Sequence, residues 1–493
     1  MKSTVSAPGV AEPESDKTLA PQDGHKQSKH PVDQALTEFL YGLYGIQKSF
    51  TVVMPHLSNW ISDESKRIEE RYRAYQIESS NPNERRYHFS GSSSQTIADW
   101  MSFRRDSEDS KGVDHLAVLA QSLFTQIFCQ FDAFMGALLK ALYNSKPQLY
   151  DALERQISIS GLRSFDTIKA VTEHLLEAEI DAFRRSSYVD QFQSLQNRFN
   201  IELRDFPEWG EFVELGQRRN LLIHNGGVVN EQYRAVCKRE KNTEAATIAI
   251  GTRLDINGEY LARALLIMRK VAFMLSHTLW RKVLPDQITE AHNACHNVIY
   301  DFLQKKMWGT AAELGEFSLK PINCKNLTEQ YRRMRVINTA IGFKFSNRAP
   351  DCSRILNAED WSSTYRDFRL AVSVLNDQRK DVWEQMRQIG KKGEIIEAWS
   401  YRDWPLFHAL RNDPDFHNVF EEIFEEPFIF KDLDLPNRTL TTSATPVVEC
   451  QPSSGTTQPP RKKAVTSRRK TMNPASIPGP TTEAPTKAKS TRK

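Results

Sequence analysis

The residues best equipped for chemistry in this chain lie in one run, Gln217-Arg218-Arg219-Asn220-Leu221-Leu222-Ile223-His224-Asn225-Gly226-Gly227. Asn220 and His224 are four apart, so a helix sets them on one face, about 40° apart. Arg219 and His224 are five apart, about 140° around the axis, and only the long arginine stem can swing back toward the imidazole. Asn225-Gly226-Gly227 is a helix-ending signal. His224 is therefore expected in a last helical turn, where the dipole favours a histidine. Such a cluster of Arg, Asn and His beside a flexible Gly-Gly suits phosphodiester chemistry on RNA. The arginine can set two donors on a phosphate and stabilise charge as it develops. A histidine can take or return a proton near neutral pH, and the asparagine can orient the imidazole or the substrate. No metal or other cofactor is needed if the 2′-hydroxyl of the RNA is the nucleophile. Arg218, six residues before His224, competes with Arg219 for the phosphate. The plain alternative is structural, with His224 capping carbonyls and Arg219 paired with Glu214 or Asp205.

Other constellations carry less. His292-Asn293-Ala294-Cys295-His296 has the four-residue spacing of a helical metal pair, but Asn293 stands where a catalytic carboxylate would be needed. A wet helix face is expected there. Trp399, Tyr401, Trp404, Phe407, Phe416, Phe420 and Phe424 could stack bases, yet their spacing is that of a core. The interleaved Glu421, Glu422, Glu425 and Glu426 would repel phosphate and read as a solvated face. Cys129, Cys237, Cys295, Cys324, Cys352 and Cys450 are scattered without a C-x-x-C pair, as for reduced, mostly buried thiols. No phosphate-binding loop, nucleophile elbow or dinucleotide fingerprint occurs, which argues against an NTPase, an α/β-hydrolase and a Rossmann enzyme.

The elements that must position the cluster are helical. Leu36, Phe39, Leu40, Leu43, Tyr44, Phe50, Val53 and Leu57 recur at helical intervals, and a second helix is expected from Trp60 to Tyr75. Ser79 to Ser94 reads as a loop. Between His115 and Tyr143, Leu116, Leu119, Leu123, Ile127, Phe131, Phe134, Leu138 and Leu142 make the longest apolar stripe in the chain, one that demands burial. Further helices are expected near 165–185, 187–201, 207–225 and 259–284. Ala246 to Ile256 is rich in β-branched residues and ends at Asn257-Gly258, a turn signal, so a small hairpin or extended excursion is expected. From Pro285 to Pro436 the pattern stays helical with weaker periodicity, clearest at 361–375, 378–389 and 394–401.

The chain has 493 residues and a formal charge of +4, but the balance is uneven. Residues 437–493 carry 11 basic and 2 acidic side chains, which leaves residues 1–436 with a net charge of −5. The body is therefore not a general nucleic-acid-coating surface. Within the Pro-rich tail, Arg461-Lys462-Lys463 and Arg468-Arg469-Lys470 could bind nucleic acid non-specifically through phosphates. Residues 1–30 and 437–493 are expected to be disordered. No uninterrupted run of about 18 apolar residues occurs, so no membrane-spanning helix is expected. The first residues lack the apolar stretch of a secretory signal, and a cytoplasmic protein is expected.

Arg219-x-x-x-x-His224, with Asn220 and Asn225 beside them, resembles the R-x4–6-H motif of the HEPN superfamily. The long apolar helix with its embedded Asp132, and the NGGVVNEQY segment after the motif, extend the likeness over residues 115–284. The resemblance implies an all-α, HEPN-like helical bundle with a small β-hairpin excursion. Five segments follow: a tail (1–30), an N-terminal helical extension and loop (31–94), the HEPN-like domain (95–285), a C-terminal helical domain (286–436) and the basic tail (437–493). The likeness further implies a metal-independent endoribonuclease that leaves 2′,3′-cyclic phosphate and 5′-hydroxyl ends, of the kind found in bacterial toxins and anti-phage systems. In that scheme Arg219 grips the scissile phosphate, His224 moves the proton, Asn220 and Asn225 support them, and Asp132 pairs with Arg219. Because one copy of the motif is present, a homodimer with a composite active site is implied, and a regulatory partner protein that activates cleavage is a further expectation. The alternative is a non-catalytic HEPN-fold scaffold that binds RNA or protein.

Overall fold

In the computed structural model, residues 29–78, 86–112, 114–153 and 155–429 are described, the side chains of 109–112 excepted. Helix α1 (Pro31–Arg71) is followed by a hairpin of β1 (Gln76–Ile77) and β2 (Arg86–Tyr87), and by α2 (Ser94–Gly112). Then come α3 (His115–Ser145), α4 (Ile159–Leu162), α5 (Ile168–Arg185), α6 (Tyr188–Phe199) and α7 (Trp209–His224). After two short helices, α8 (Glu231–Arg239) and α9 (Thr243–Thr247), the chain enters α10 (Gly258–Val283). The remainder is α11 (Ile288–Gln304), α12 (Trp308–Ser318), α13 (Glu329–Phe345), α14 (Ala349–Asn357), α15 (Arg366–Leu375), α16 (Arg379–Ile389), α17 (Ala398–Asp403) and α18 (Pro414–Phe424). The fold is all-α with a small β excursion.

The described residues form one compact unit. Its apolar core runs from Val32 on α1 to Phe428 beyond α18, across the boundaries at 94/95 and 285/286 that composition suggests. Helix α10 is its axis, packed against α1, α3, α7, α11 and α12. The stripe on α3 meets α1 through Phe39, whose ring centroid lies 4.9 Å from that of Phe134 and 5.7 Å from that of Phe131. α3 starts where Asp114 caps the Ala117 N–H, and it ends before Pro147.

Several expectations need correcting. Residues 31–71 make one helix, not two, with Pro55 inside it. Its buried residues stop at Ile46, so the second half is held by little of the core that makes the first half amphipathic. Among the described residues the paired strands lie at 76–77 and 86–87, while of 246–256 the first two residues end α9 and the rest takes the extended alternative after a turn at 250–251. Residues 248–257 run back along 227–229, with Leu254 N–H donating to Gly227 O and Val229 N–H donating to Thr252 O. Asn257 is not a turn residue: its side chain accepts from the Tyr260 N–H and caps α10. By length and composition α3 is long and apolar enough to cross a membrane, with 50% of its most apolar window buried inside the protein. Averaged hydropathy tolerates the isolated Gln130, Asp132 and Lys140, which a search for unbroken apolar runs does not. The tails, including Arg461, Lys462, Lys463, Arg468, Arg469, Lys470 and Cys450, lie outside the described residues.

α12 and α13 cross backbone to backbone at Gly342, where a Cβ would stand 2.8 Å from Ala312 N and 2.9 Å from Trp308 O. Backbone atoms cannot swing aside, so Gly342→Ala is expected to cost about 1–3 kcal/mol despite alanine's better helix propensity. Urea unfolding would read this as a lowered midpoint with an unchanged slope.

Candidate functional site

The end of α7 is built by a local conflict between helix and turn. Leu221 O accepts from both Asn225 N–H (2.8 Å) and Gly227 N–H (2.9 Å), closing the last turn. Gly226 and Gly227 then take φ of 56° and 79°, the left-handed region open to glycine at little cost. At Gly227 a Cβ would also lie 3.2 Å from Leu254 O, the strand-like segment that closes over the turn. Asn225 serves this turn, its Nδ2 donating to Val228 O at 2.6 Å. Beneath it Leu221, Val229, Tyr233, Cys237, Ala245 and Leu254 form a small core apart from the main one.

His224 stands exposed in that last turn. Asn220, Gln217, Asn225, Asn230 and Gln232, with Leu221 and Tyr233, line with it a groove of about 240 Å³. Asn220 links the groove to Arg219, whose Nη1 donates to Asn220 Oδ1 at 3.1 Å. Arg219 Nε is buried without an acceptor. Arg219, Asn220 and His224 are thus neighbours along the helix end, with Asn220 hydrogen-bonded to Arg219 and lining the His224 groove. No side chain among the described residues hydrogen-bonds the His224 ring.

Asp132 on α3 faces the other side of Arg219. Its Oδ1 accepts from Tyr188 OH at 2.9 Å. Burial raises its pKa, against the Tyr188 hydrogen bond and the charges of Arg219 and Arg184. Tyr188 is in turn pushed well above its ordinary range by burial and by Asp132. It reaches this place because α7 carries Gly216, where a Cβ would meet the Tyr188 ring at 2.8 Å. Asp132 and Arg219 therefore interact across space, with Tyr188 as the carboxylate's hydrogen-bond donor.

Arg218 has a different task. Its Nε donates to Glu214 Oε1 at 2.8 Å, and its guanidinium lies 3.9 Å over the Tyr260 ring. Glu214, 5% exposed, also accepts from Tyr233 OH and Tyr260 OH, each at 2.6 Å. Burial and the Glu214 charge raise both tyrosines. Glu214 thus pairs with Arg218 and not with Arg219, and Asp205 lines, with Glu214, Arg218 and Tyr260, a cleft of about 1080 Å³ that shares no residue with the His224 groove. Sequence reasoning missed Glu214, Tyr233 and Tyr260 as a unit. The i, i+4 spacing of Glu214 and Arg218 was the available signal, while the tyrosines arrive from α8 and α10 and left none.

The other candidates resolve plainly. His292 is buried, not on a wet face, with Nε2 2.9 Å from Lys325 O. The wet-face expectation failed because α11 is packed on opposite sides by α10 and α13. Among the described residues no group of three or more His, Cys, Asp or Glu side chains is placed to hold a metal. Tyr401, Trp404, Phe407, Phe416 and Phe420 are core, and Glu422 and Glu426 pair on the surface with Arg387 and Arg402. The described cysteines are free, with Cys237, Cys295 and Cys352 buried. Comparison with protein-family models, curated proteins and solved structures finds no match to this chain.

Removing one member of a buried ion pair strands the other. Glu214→Gln is expected to destabilise the protein by about 3 kcal/mol, and Arg219→Gln by less than about 1 kcal/mol. Chemical unfolding of both variants checks the division of labour, and the reverse order would show that Arg219 is the structural arginine.

Proposed function

We propose that the chain is a HEPN-like, metal-independent endoribonuclease whose site is the exposed end of α7. The observation that carries this reading is the succession of Arg219, Asn220 and His224, with Asn220 accepting from Arg219 and lining the His224 groove. Arg218 is held by Glu214 and Tyr260, which leaves Arg219 as the arginine for the phosphate. In the proposed reaction the 2′-oxygen of the RNA bonds to the adjacent phosphorus and the bond from phosphorus to the 5′-oxygen breaks. His224 takes the 2′-hydroxyl proton, Arg219 stabilises the charge gathering on the phosphate, and the departing 5′-oxygen gains a proton. Two proton transfers and one histidine in each copy's groove favour a homodimer in which His224 of a second copy supplies the acid.

A second reading, a non-catalytic helical scaffold for RNA or protein, draws on one feature. Nothing among the described residues orients the His224 ring, and the body is acidic, so unaided RNA affinity would be low.

Purified full-length protein incubated with total RNA in excess EDTA separates the two. Fragments ending in 2′,3′-cyclic phosphate and 5′-hydroxyl are expected, with Arg219→Ala and His224→Ala each lowering the rate by about 10²- to 10⁴-fold. Cleavage that survives His224→Ala, or RNA left intact by a folded dimer, would overturn the enzyme in favour of the scaffold.

A further inference from the structure

The groove that His224 shares is walled by two helices and lined by amides. From α7 it takes Gln217, Asn220, Leu221 and His224, spaced i, i+3, i+4 and i+7 along one face. Across it stand Asn230, which caps α8, and Gln232 and Tyr233 of that helix's first turn. The two buried members, Leu221 and Tyr233, make the base of the groove apolar. Among the described residues no arginine, lysine, aspartate or glutamate lines it. Its volume of about 240 Å³ lies just below the roughly 300–1,000 Å³ of pockets for drug-sized molecules, the scale of a single flat ring system.

Three of the amides are already engaged by the protein. Asn220 Oδ1 accepts from Arg219, Asn225 Nδ2 donates to Val228 O, and Asn230 Oδ1 accepts from the Tyr233 N–H at 2.9 Å. Gln217, half-buried, and Gln232, exposed, have no side-chain hydrogen-bond partner among the described residues. Each therefore offers a carbonyl acceptor beside an NH2 donor, one from either wall. These free groups are neutral, so the groove suits the edge of a base and not a phosphate, which calls for cations.

A single amide matches an adjacent donor and acceptor, which every base has on its Watson–Crick edge. Two amides on opposite walls discriminate. Only adenine repeats the pattern on its other edge, where N6–H lies beside N7. Guanine shows two acceptors there, N7 and O6, which call for an arginine, and the pyrimidines have no ring nitrogen on that edge. The apolar base of the groove would take the face of the ring.

We propose that this groove reads adenine, with Gln217 and Gln232 hydrogen-bonded to its two edges. The proposal rests on the reading of the α7 end as an RNA-cleaving site and deepens it. The base in the groove belongs to the ribose whose 2′-hydroxyl gives its proton to His224, so RNA is cut on the 3′ side of adenosine.

The test uses full-length protein and two sets of hexanucleotides of sequence UUUNUU, in which N is A, C, G or U. In the first set every ribose carries a 2′-fluorine, which removes the nucleophile, and binding is read by fluorescence anisotropy at low salt. The A hexamer is expected to bind about tenfold more tightly than the other three. Gln217→Leu and Gln232→Leu each break no hydrogen bond among the described residues, and each is expected to lower that ratio several-fold. A variant that only disturbed the fold would weaken all four alike. The second set is unmodified RNA in excess EDTA, with cleavage expected after the central A. Equal or undetectable binding of the four, or an A preference untouched by both variants, overturns the adenine site. Cleavage at equal rates whatever the central base also overturns it, while leaving the endoribonuclease in place. An A preference in binding with the unmodified A hexamer left intact keeps adenine in the groove and overturns the nuclease instead.

Discussion

The middle of helix α10 is kept from water around its whole circumference, and most of the architecture follows from that. From Val271 to His277 every residue is buried, nearly two full turns with no wet side. An amphipathic helix needs one partner surface; a helix of this kind needs several. α1 and α3 cover one flank, α7 meets its first half, and α11 and α12 cover the rest. The N-terminal, central and C-terminal parts of the chain therefore share one core. The same enclosure takes in polar groups that α10 carries among its apolar ones, namely Arg269, Ser276 and His277. Each is then dependent on whatever acceptor the surrounding helices provide.

The end of α7 is the counterpart to this. Its first half is locked to α10 and α8 by the Glu214 carboxylate, which collects Arg218, Tyr233 and Tyr260. A buried, fully bonded carboxylate of this kind is directional where apolar packing is not, so it sets the rotation of α7 about its own axis. With that rotation set, Arg218 points inward, and Asn220 and His224 point to the groove. Arg219 is left between them, touching Asn220 on one side and facing Asp132 and Tyr188 on the other. The reactive residue types are thus presented by a helix end that is rigid at its base and bounded by two left-handed glycines at its tip.

Much of the helical architecture was legible in the residues. The α3 stripe and the end of α7 at Asn225-Gly226-Gly227 follow from spacing and turn chemistry, and α10 from the helical pattern over 259–284. Where the reading failed, the reason was non-local. The apolar pattern through Leu57 and the stretch from Trp60 to Tyr75 read as two helices, yet a single helix runs through both to Arg71 with Pro55 inside it. His292 was read as a wet-face residue once a metal site was set aside, and the packing of α10, α12 and α13 on α11 encloses it. The β-branched run 246–256 needed a partner to show its conformation, and that partner was the Gly-Gly turn far upstream.

Periodicity and composition by themselves determined that this is a helical protein with an acidic body, a basic C-terminal segment and one Arg-Asn-His cluster at a helix end. Those properties depend on residue type and on spacing within a single element, which local geometry fixes. Tertiary structure alone decided which arginine is structural, that Asp132 reaches Tyr188, and that His292 is buried beside Lys325 O. Each of these depends on which helices pack side by side, and so on burial and contacts between residues far apart in the chain.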